Sequence, residues 1–305
     1  MIYVLLVLGF VLLIKGADFF VDGASSIALL LRVPSVIIGL TIVALGTSAP
    51  EAAVSITAGL AGNSDISLGN VVGSNLFNLL VVIGISAVII PVVSHKEILG
   101  RDMWWNLGVT VLLFVLILDG RISRLDGCLL LLGMAVYLFI LVRSARNSRT
   151  VEDDTPAQPL WRSLLMIALG LGMIVLGGNL VVDNATRIAQ IFGMSDTLIG
   201  LTIVAIGTSL PELATSVVAS RKGESGIALG NAVGSCIFNI LFILGMASVL
   251  APIHVAPELL IDTGLLIAVC VLVAILARTG RQTGRLEGAL MTACYIAYTA
   301  YIIVR

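Results

Sequence analysis

The chain has 305 residues, of which 59% are hydrophobic and 11% are charged, and its formal net charge is −1. Soluble domains carry about 25% charged residues, so this composition excludes an ordinary soluble domain. The near-zero net charge gives no indication of a nucleic-acid partner.

Apolar runs long enough to cross a bilayer core, about 20 residues each, recur from end to end. Because backbone polar groups inside lipid must be satisfied within their own segment, we predict an all-α integral membrane protein. Ten transmembrane helices are predicted, at residues 2–21, 34–60, 66–90, 103–119, 125–142, 162–182, 195–220, 227–250, 257–277 and 286–304.

A charged, proline-containing stretch between the fifth and sixth predicted helices indicates a loop. This linker, residues 143–160, separates a first half at 1–142 from a second half at 161–305, with five spans in each. Because five is odd, the second half must start on the opposite face of the membrane. That predicts two inverted-topology five-helix repeats, with an ion or substrate site where they meet near the midplane.

Lysine and arginine are concentrated in the loops of one predicted face, which the positive-inside rule assigns to the cytoplasm. That face carries Arg32, Lys96, Arg101, Arg143, Arg146, Arg149, Arg162, Arg221, Lys222, Arg278, Arg281 and Arg285. The opposite face carries Arg121, Arg124, Arg187 and Arg305. We therefore expect both termini outside an inner cell membrane and the 143–160 linker in the cytoplasm.

An internal repeat is the strongest signal in the sequence. Residues 39–84 return as residues 200–245 at an offset of 161 without a gap, and about 27 of the 46 aligned positions are identical. The two halves are therefore expected to contribute equivalent groups to one site.

The second span of each repeat contains the motif Gly-Thr-Ser-x-Pro-Glu, which ends at Glu51 and at Glu212. Proline removes a backbone donor and clashes with the carbonyl four residues before it, so helices 2 and 7 should break at these motifs. Such a break is tolerated at membrane depth where it lines a cavity or is buried in protein. A carboxylate there costs at least about 2.5–3.5 kcal/mol, which indicates a functional role.

The break should free backbone carbonyls at 44–47 and at 205–208. Free carbonyls, hydroxyls and a carboxylate together are the oxygen ligands that a hard cation such as Ca²⁺ prefers. The motif therefore predicts a cation site.

The third span of each repeat contains the motif Gly-Asn-x-Val-Gly-Ser-x-x-x-Asn. Its Ser74 and Asn78 are four residues apart and share one helix face, as do Ser235 and Asn239. The glycines indicate close helix packing. Asn70 and Asn231 lie on another face, where the sequence favours a helix start or a packing contact.

Other polar residues are less informative. Asp22 and Asp183 occupy equivalent positions and are interpreted as helix-end caps. Lys15 and Asp18 are three residues apart and are interpreted as a structural pair or gate.

These motifs resemble those of the cation/Ca²⁺ exchanger superfamily, in particular its prokaryotic Na⁺/Ca²⁺ exchanger-like family. The resemblance covers essentially the whole chain. It implies cation ligands at Glu51, Glu212, Asn78, Asn239, Thr47, Thr208, Ser48, Ser209, Ser74, Ser235, Ala44 and Ala205.

The resemblance also implies the arrangement of these ligands. Glu51 and Glu212 would coordinate Ca²⁺ centrally, with backbone oxygens near Thr47 and Thr208. The implied flanking Na⁺ sites are Ser48, Ser74 and the Ala44 carbonyl, and their counterparts Ser209, Ser235 and the Ala205 carbonyl. Asn78 and Asn239 would flank a middle position, where some relatives have Asp in place of Asn239.

The implied function is antiport of Na⁺ and Ca²⁺ by alternating access, in a lipid-embedded chain that acts as a monomer and is not an enzyme. No cofactor is expected beyond the transported ions. A Ca²⁺/H⁺ antiporter and a K⁺-dependent Na⁺/Ca²⁺ exchanger remain alternatives on the same fold. An intramembrane serine hydrolase using Ser48 or Ser209 is disfavoured because no histidine lies in a predicted span.

Overall fold

The computed structural model describes residues 2–93, 98–147, 158–193, 205–278 and 282–304. Two of the predicted segments lie partly outside these ranges. They are the middle of the 143–160 linker, at 148–157, and the start of the predicted seventh span, at 195–204. Within the described ranges the chain is helical apart from short loops and four two-residue strands.

We number the helices in chain order. They are α1 Ile2–Leu31, α2 Ser35–Thr47, α3 Ala49–Leu60, α4 Ser64–Ile89, α5 Gly100–Asp119, α6 Arg124–Asn147, α7 Leu160–Ile191, α8 Ala205–Thr208, α9 Leu210–Arg221, α10 Ser225–Leu250, α11 Pro257–Arg278 and α12 Arg285–Val304. The strands are β1 Val92–Val93, β2 Arg121–Ile122, β3 Ile253–His254 and β4 Gln282–Thr283.

Eight of the described helices are long and apolar enough to span a membrane. Helices α2 and α3 together make a ninth candidate if the bent pair is counted as one span. The chain is therefore a multi-pass, all-helical membrane protein.

Helices α4 and α10 form the centre of the bundle. Within their most apolar windows 78% of the residues are buried, against 28% in α6 and in α7. Polar and apolar side chains of α4 and α10 are therefore shielded from lipid by the surrounding helices.

Helices α1 and α7 are longer than predicted, because they continue to Leu31 and Ile191. Asp22 and Asp183 consequently lie well inside helices, and the prediction that they cap helix ends is wrong. Asp22 instead accepts a hydrogen bond from the Lys222 ammonium at 2.6 Å. The Asp22 side chain is therefore satisfied by a residue of the second half and not by the backbone of a helix end.

Glycines bring α1 and α7 into close antiparallel contact. A Cβ atom on Gly16 would lie 2.8 Å from the Gly170 carbonyl oxygen, and one on Gly170 would lie 2.7 Å from the Gly16 carbonyl oxygen. Gly9 and Gly177 meet in the same way two turns away. Small residues at such spacing let two membrane helices pack backbone to backbone.

Contacts between the halves repeat at the offset of the sequence repeat. Strand β1 pairs with β4 and strand β2 pairs with β3, both antiparallel. Helix α12 packs against the end of α4, and α6 packs in the same way against the end of α10, through Gly84–Gly288 and Gly127–Gly245. The internal repeat is therefore a repeat of packing as well as of sequence.

Candidate functional site

The helix breaks position the two motif glutamates. A single residue separates helix α2 from helix α3, and the chain bends by 50° there. The residue between them, Ser48, has φ −81° and ψ 9°, and Ser209 between α8 and α9 has φ −93° and ψ 6°. Each motif proline lies in the first turn after its break, where a missing N–H costs no helical hydrogen bond.

Glu51 and Glu212 each lie in the first turn of the helix that follows the break. Both side chains are 0% exposed. The backbone N–H groups and the dipole at a helix N-terminus favour negative charge. The break thus provides a favourable environment for a carboxylate at a depth where a charge would otherwise be costly.

Reciprocal hydrogen bonds join the two motifs. The Ser48 hydroxyl donates to Glu212 Oε1 at 2.9 Å, and the Ser209 hydroxyl donates to Glu51 Oε1 at 2.9 Å. Each carboxyl group is therefore held by the serine of the other half. The two carboxyl groups are therefore linked across the two halves in the buried interior.

Two asparagines brace the broken helices. Asn231 Nδ2 donates to the Glu212 backbone carbonyl at 3.2 Å and to the Ser216 hydroxyl at 2.9 Å, while its Oδ1 accepts from the Thr47 hydroxyl at 2.9 Å. This residue therefore ties the second-half glutamate to the first-half break.

Asn70 is the counterpart of Asn231 in the first half. Its Nδ2 donates to the Glu51 carbonyl at 3.4 Å and to the Ser55 hydroxyl at 2.9 Å. Neither asparagine is at a helix start, so of the two predicted roles the packing contact is the one that the structure supports.

Asn78 and Asn239 each begin a π-helical turn within an otherwise α-helical span. Such turns widen the helix by one residue and occur often at functional sites. Both side chains are fully buried. Ser74 and Ser235 lie one turn earlier, so the amide and the hydroxyl of each pair occupy one helix face.

Ser235 lies between the predicted ligands of the two halves. Its hydroxyl is 3.5 Å from both the Ala44 carbonyl oxygen and Glu212 Oε1. The Ala44 carbonyl already accepts the Ser48 N–H at 3.1 Å, so the expectation that the break frees it is wrong. The physical reason is that Pro50 removes the donor to Gly46, two residues further on, and leaves the donor to Ala44 in place.

In the second half, Ala205 and Thr208 bound the short helix α8. The Ser209 N–H donates to the Ile206 carbonyl at 3.1 Å instead of to Ala205. The two breaks are therefore similar in position but differ in backbone hydrogen bonding.

Several predicted ligands have a buried oxygen atom without a hydrogen-bond partner in the described part of the chain. They are Glu51 Oε2, Glu212 Oε2, Ser74 Oγ, Asn78 Oδ1 and Asn239 Oδ1. Buried polar atoms are nearly always satisfied in proteins, so these oxygens on the predicted ligands are available to a bound group. Carboxylate, hydroxyl and amide oxygens together can coordinate a hard cation.

Sequence reasoning assigned no ligand-supporting role to Asn70, Asn231 or Asn75. The repeat contained the signal for the first two, because both halves have asparagine at that position. Comparison of the repeats gave no signal for Asn75, because the equivalent residue in the second half is Cys236.

Comparison with known protein families gives one match over nearly the whole chain. A family model described as sodium/calcium exchanger protein matches residues 1–143 and 162–304.

Two relatives and one solved structure are similar to this chain over nearly their full lengths. The chain is 40% identical to the candidate antiporter CaxA of Alkalimonas amylolytica, over 97% of this chain and 96% of the relative. It is 36% identical to the inner membrane protein YrbG of Escherichia coli, over 98% and 95% respectively. A solved structure of the sodium-calcium exchanger NCX_Mj, soaked with Na⁺ and Sr²⁺, superposes with a TM-score of 0.87 at 33% identity, over 98% of this chain and 97% of that one.

The two bracing asparagines allow a matched test of the site's framework. Asn231→Ala should destabilise the protein more than Asn70→Ala, because Asn231 makes three hydrogen bonds at 0% exposure and Asn70 makes two while half-buried. Each lost bond costs about 1 kcal/mol, and a partner left unsatisfied in the interior adds about 1–3 kcal/mol. Thermal unfolding of both variants in detergent measures the difference, and equal melting temperatures would contradict the assigned bracing role of Asn231.

Proposed function

Because the chain belongs to the sodium/calcium exchanger protein family, we propose that it is a secondary antiporter that exchanges Na⁺ for Ca²⁺ across the cell membrane. The observation that carries this proposal is the pair of buried glutamates, each hydrogen-bonded to the serine of the other half. Two ionised carboxylates balance the charge of one Ca²⁺, and the neutral oxygens around them suit Na⁺ as well.

Glu51 and Glu212 are the proposed central ligands of Ca²⁺, together with the backbone oxygens near Thr47 and Thr208. Their Oε2 atoms have no hydrogen-bond partner among the described residues, which supports this assignment. The Thr47 hydroxyl is engaged by Asn231, which favours its backbone carbonyl as the ligand. Asn78 and Asn239 would complete the middle position through their amide oxygens.

Na⁺ would occupy the two flanking positions. The proposed ligands are Ser48, Ser74, Ser209 and Ser235 with the Ala44 and Ala205 carbonyls. The Ser235 hydroxyl lies 3.5 Å from both the Ala44 carbonyl oxygen and Glu212 Oε1, which groups this serine with the Ala44 carbonyl of the other half, whereas the resemblance implied the Ala205 carbonyl.

We propose ten spans in two inverted repeats, with helices 2 and 7 broken at their motifs. The strand pairs support the inversion. Strand β1 follows the third predicted span of the first half, and its partner β4 follows the fourth span of the second half. If the repeats were parallel, the loop after the third span of one half and the loop after the fourth span of the other would lie on opposite faces of the membrane. Strands in these two loops could not then pair. Inverted repeats bring these loops to the same face.

Alternating access follows from this arrangement. The site lies where the repeats meet, so a movement of one set of helices against the other would open it first to one face and then to the other. The chain would do this as a monomer, with the 143–160 linker in the cytoplasm and both termini outside. The distribution of lysine and arginine supports that orientation.

Proton-coupled Ca²⁺ transport is the alternative on the same fold, because carboxylates can exchange protons for cations. Asn239 adds no third carboxyl group to the site, which disfavours a further cation such as K⁺ in the middle position. The coupling ion is established by measuring ⁴⁵Ca²⁺ uptake into proteoliposomes under separately imposed Na⁺, K⁺ and pH gradients. Uptake driven by a pH gradient without Na⁺ would favour the alternative.

Loss of either central carboxylate should abolish transport. In Glu51→Gln and in Glu212→Gln the remaining single charge cannot balance Ca²⁺, so Na⁺-driven ⁴⁵Ca²⁺ uptake should fall to the level of protein-free vesicles. Asp183→Asn is the matched control, since this carboxyl group lies on a spanning helix but is exposed, and it should retain uptake. Normal uptake by either glutamate variant would remove the assignment.

The inversion predicts opposite exposure for two equivalent loop residues. Asn63 and Glu224 precede helices α4 and α10 at the offset of the repeat. In cells expressing Asn63→Cys or Glu224→Cys, with the exposed Cys128 replaced by serine, an impermeant maleimide should label the first variant directly. It should label the second only after the cells are permeabilised. Labelling of both from the same face would indicate parallel repeats.

A further inference from the structure

Asn75 and Cys236 occupy equivalent positions in the two repeats and face each other at the centre of the molecule. Asn75 Nδ2 donates to the Cys236 carbonyl at 3.1 Å, and the Cys236 thiol donates to the Asn75 carbonyl at 3.7 Å. Both side chains are fully buried. Each half therefore uses the same position to contact the backbone of the other, but with a different chemical group.

In the first half, Asn75 has a second hydrogen-bonding atom available. Its nitrogen is committed to a carbonyl, which can only accept, so its Oδ1 must point the other way. That oxygen accepts a hydrogen bond from Asn239 Nδ2 at 3.0 Å. The orientation of the Asn239 amide is therefore determined, with its nitrogen toward Asn75 and its Oδ1 left without a partner among the described residues.

In the second half, Cys236 cannot do the same for Asn78. A thiol has one proton, and sulfur is a weak acceptor. The thiol makes a weak side-chain contact with the Asn78 amide, but neither Nδ2 nor Oδ1 of Asn78 has a hydrogen-bond partner of ordinary geometry in the described ranges. Turning the Asn78 amide over would therefore cost at most this weak contact to sulfur.

We propose that Asn75 is a positioning residue that holds the carbonyl oxygen of Asn239, and not its nitrogen, toward the transported cation. This rests on the function proposed above, because only cation binding gives the orientation a consequence. Ca²⁺ accepts oxygen ligands and is repelled by an amide N–H₂ group. A pre-oriented amide binds without the cost of being fixed at the moment of binding. Asn239 is thus the stronger of the two amide ligands, and the two halves of the site are not equivalent.

The exchange of Asn75 and Cys236 is a direct test, because each residue already fits the equivalent position. The variants are Asn75→Cys, Cys236→Asn and the double exchange, measured by Na⁺-driven ⁴⁵Ca²⁺ uptake in proteoliposomes. Asn75→Cys should raise the half-saturating Ca²⁺ concentration about tenfold, as expected from the loss of one hydrogen bond to a ligand, and should leave the maximal rate within about twofold. An unchanged half-saturating concentration would overturn the proposal.

Alanine at the two ligand asparagines separates positioning from simple packing. In the otherwise wild-type protein, Asn239→Ala should weaken Ca²⁺ uptake more than Asn78→Ala. In the double-exchange background the order should reverse, because the new asparagine at position 236 would then orient Asn78. An order that stays the same in both backgrounds would show that Asn75 only packs the halves together. If the double exchange does not fold, Cys236→Asn alone should increase the effect of Asn78→Ala, and no increase would overturn the proposal.

Calorimetric titration of the purified variants with Ca²⁺ distinguishes failure of this inference from failure of the proposed function. One outcome is that the wild type shows no Na⁺-driven flux but Asn75→Cys binds Ca²⁺ about tenfold more weakly than the wild type. This outcome would refute antiport and support the positioning role. Normal flux with equal Ca²⁺ affinities in both proteins would support antiport and overturn the positioning role. Absence of Ca²⁺ binding to the wild type would overturn both.

Discussion

The structure depends on one constraint, which is that a carboxylate buried in a membrane must be compensated by nearby groups. Glu51 and Glu212 meet it in the same way. Each lies in the first turn of a helix that begins at a break, and each accepts a hydrogen bond from a hydroxyl at the break of the other half. Each glutamate therefore takes its shortest hydroxyl hydrogen bond, at 2.9 Å, from the other half. The two carboxylates, whose burial in the membrane costs the most free energy, are therefore also the groups that join the two halves.

The surrounding packing maintains this meeting point. Helices α4 and α10 are buried at the centre, and the asparagines on them reach the carbonyl groups of the motif glutamates. Glycines allow the close approach of α1 to α7 and of α12 and α6 to the ends of the central helices. These contacts recur at the offset of the repeat, so each contact in one half has an equivalent in the other. This equivalence suits the alternating access proposed above.

The sequence was sufficient to predict an all-helical membrane protein and its family, because motifs that pair a proline break with a buried acid are rare in membrane helices. The twelve candidate ligands implied by the resemblance stay a prediction. The sequence was not sufficient to predict where α1 and α7 end. Asp22 resembled a helix end, and its partner Lys222 is distant in sequence, so the pair could not be read from the local pattern. Asn75 was missed for a related reason, since comparison of the repeats favours positions that are identical, whereas this residue matters because it differs from Cys236. The π-helical turns at Asn78 and Asn239 depend on packing between helices and have no signature in the local sequence.

The central claim is that one acidic side chain from each repeat binds the same divalent cation. Anomalous diffraction from crystals soaked in Sr²⁺, which can replace Ca²⁺, tests it most directly. The account predicts a strong peak between the carboxyl groups of Glu51 and Glu212, coordinated by both, and its loss in crystals of Glu51→Gln. Carboxyl groups that lie far apart, or a Sr²⁺ ion bound to neither of them, would contradict the account.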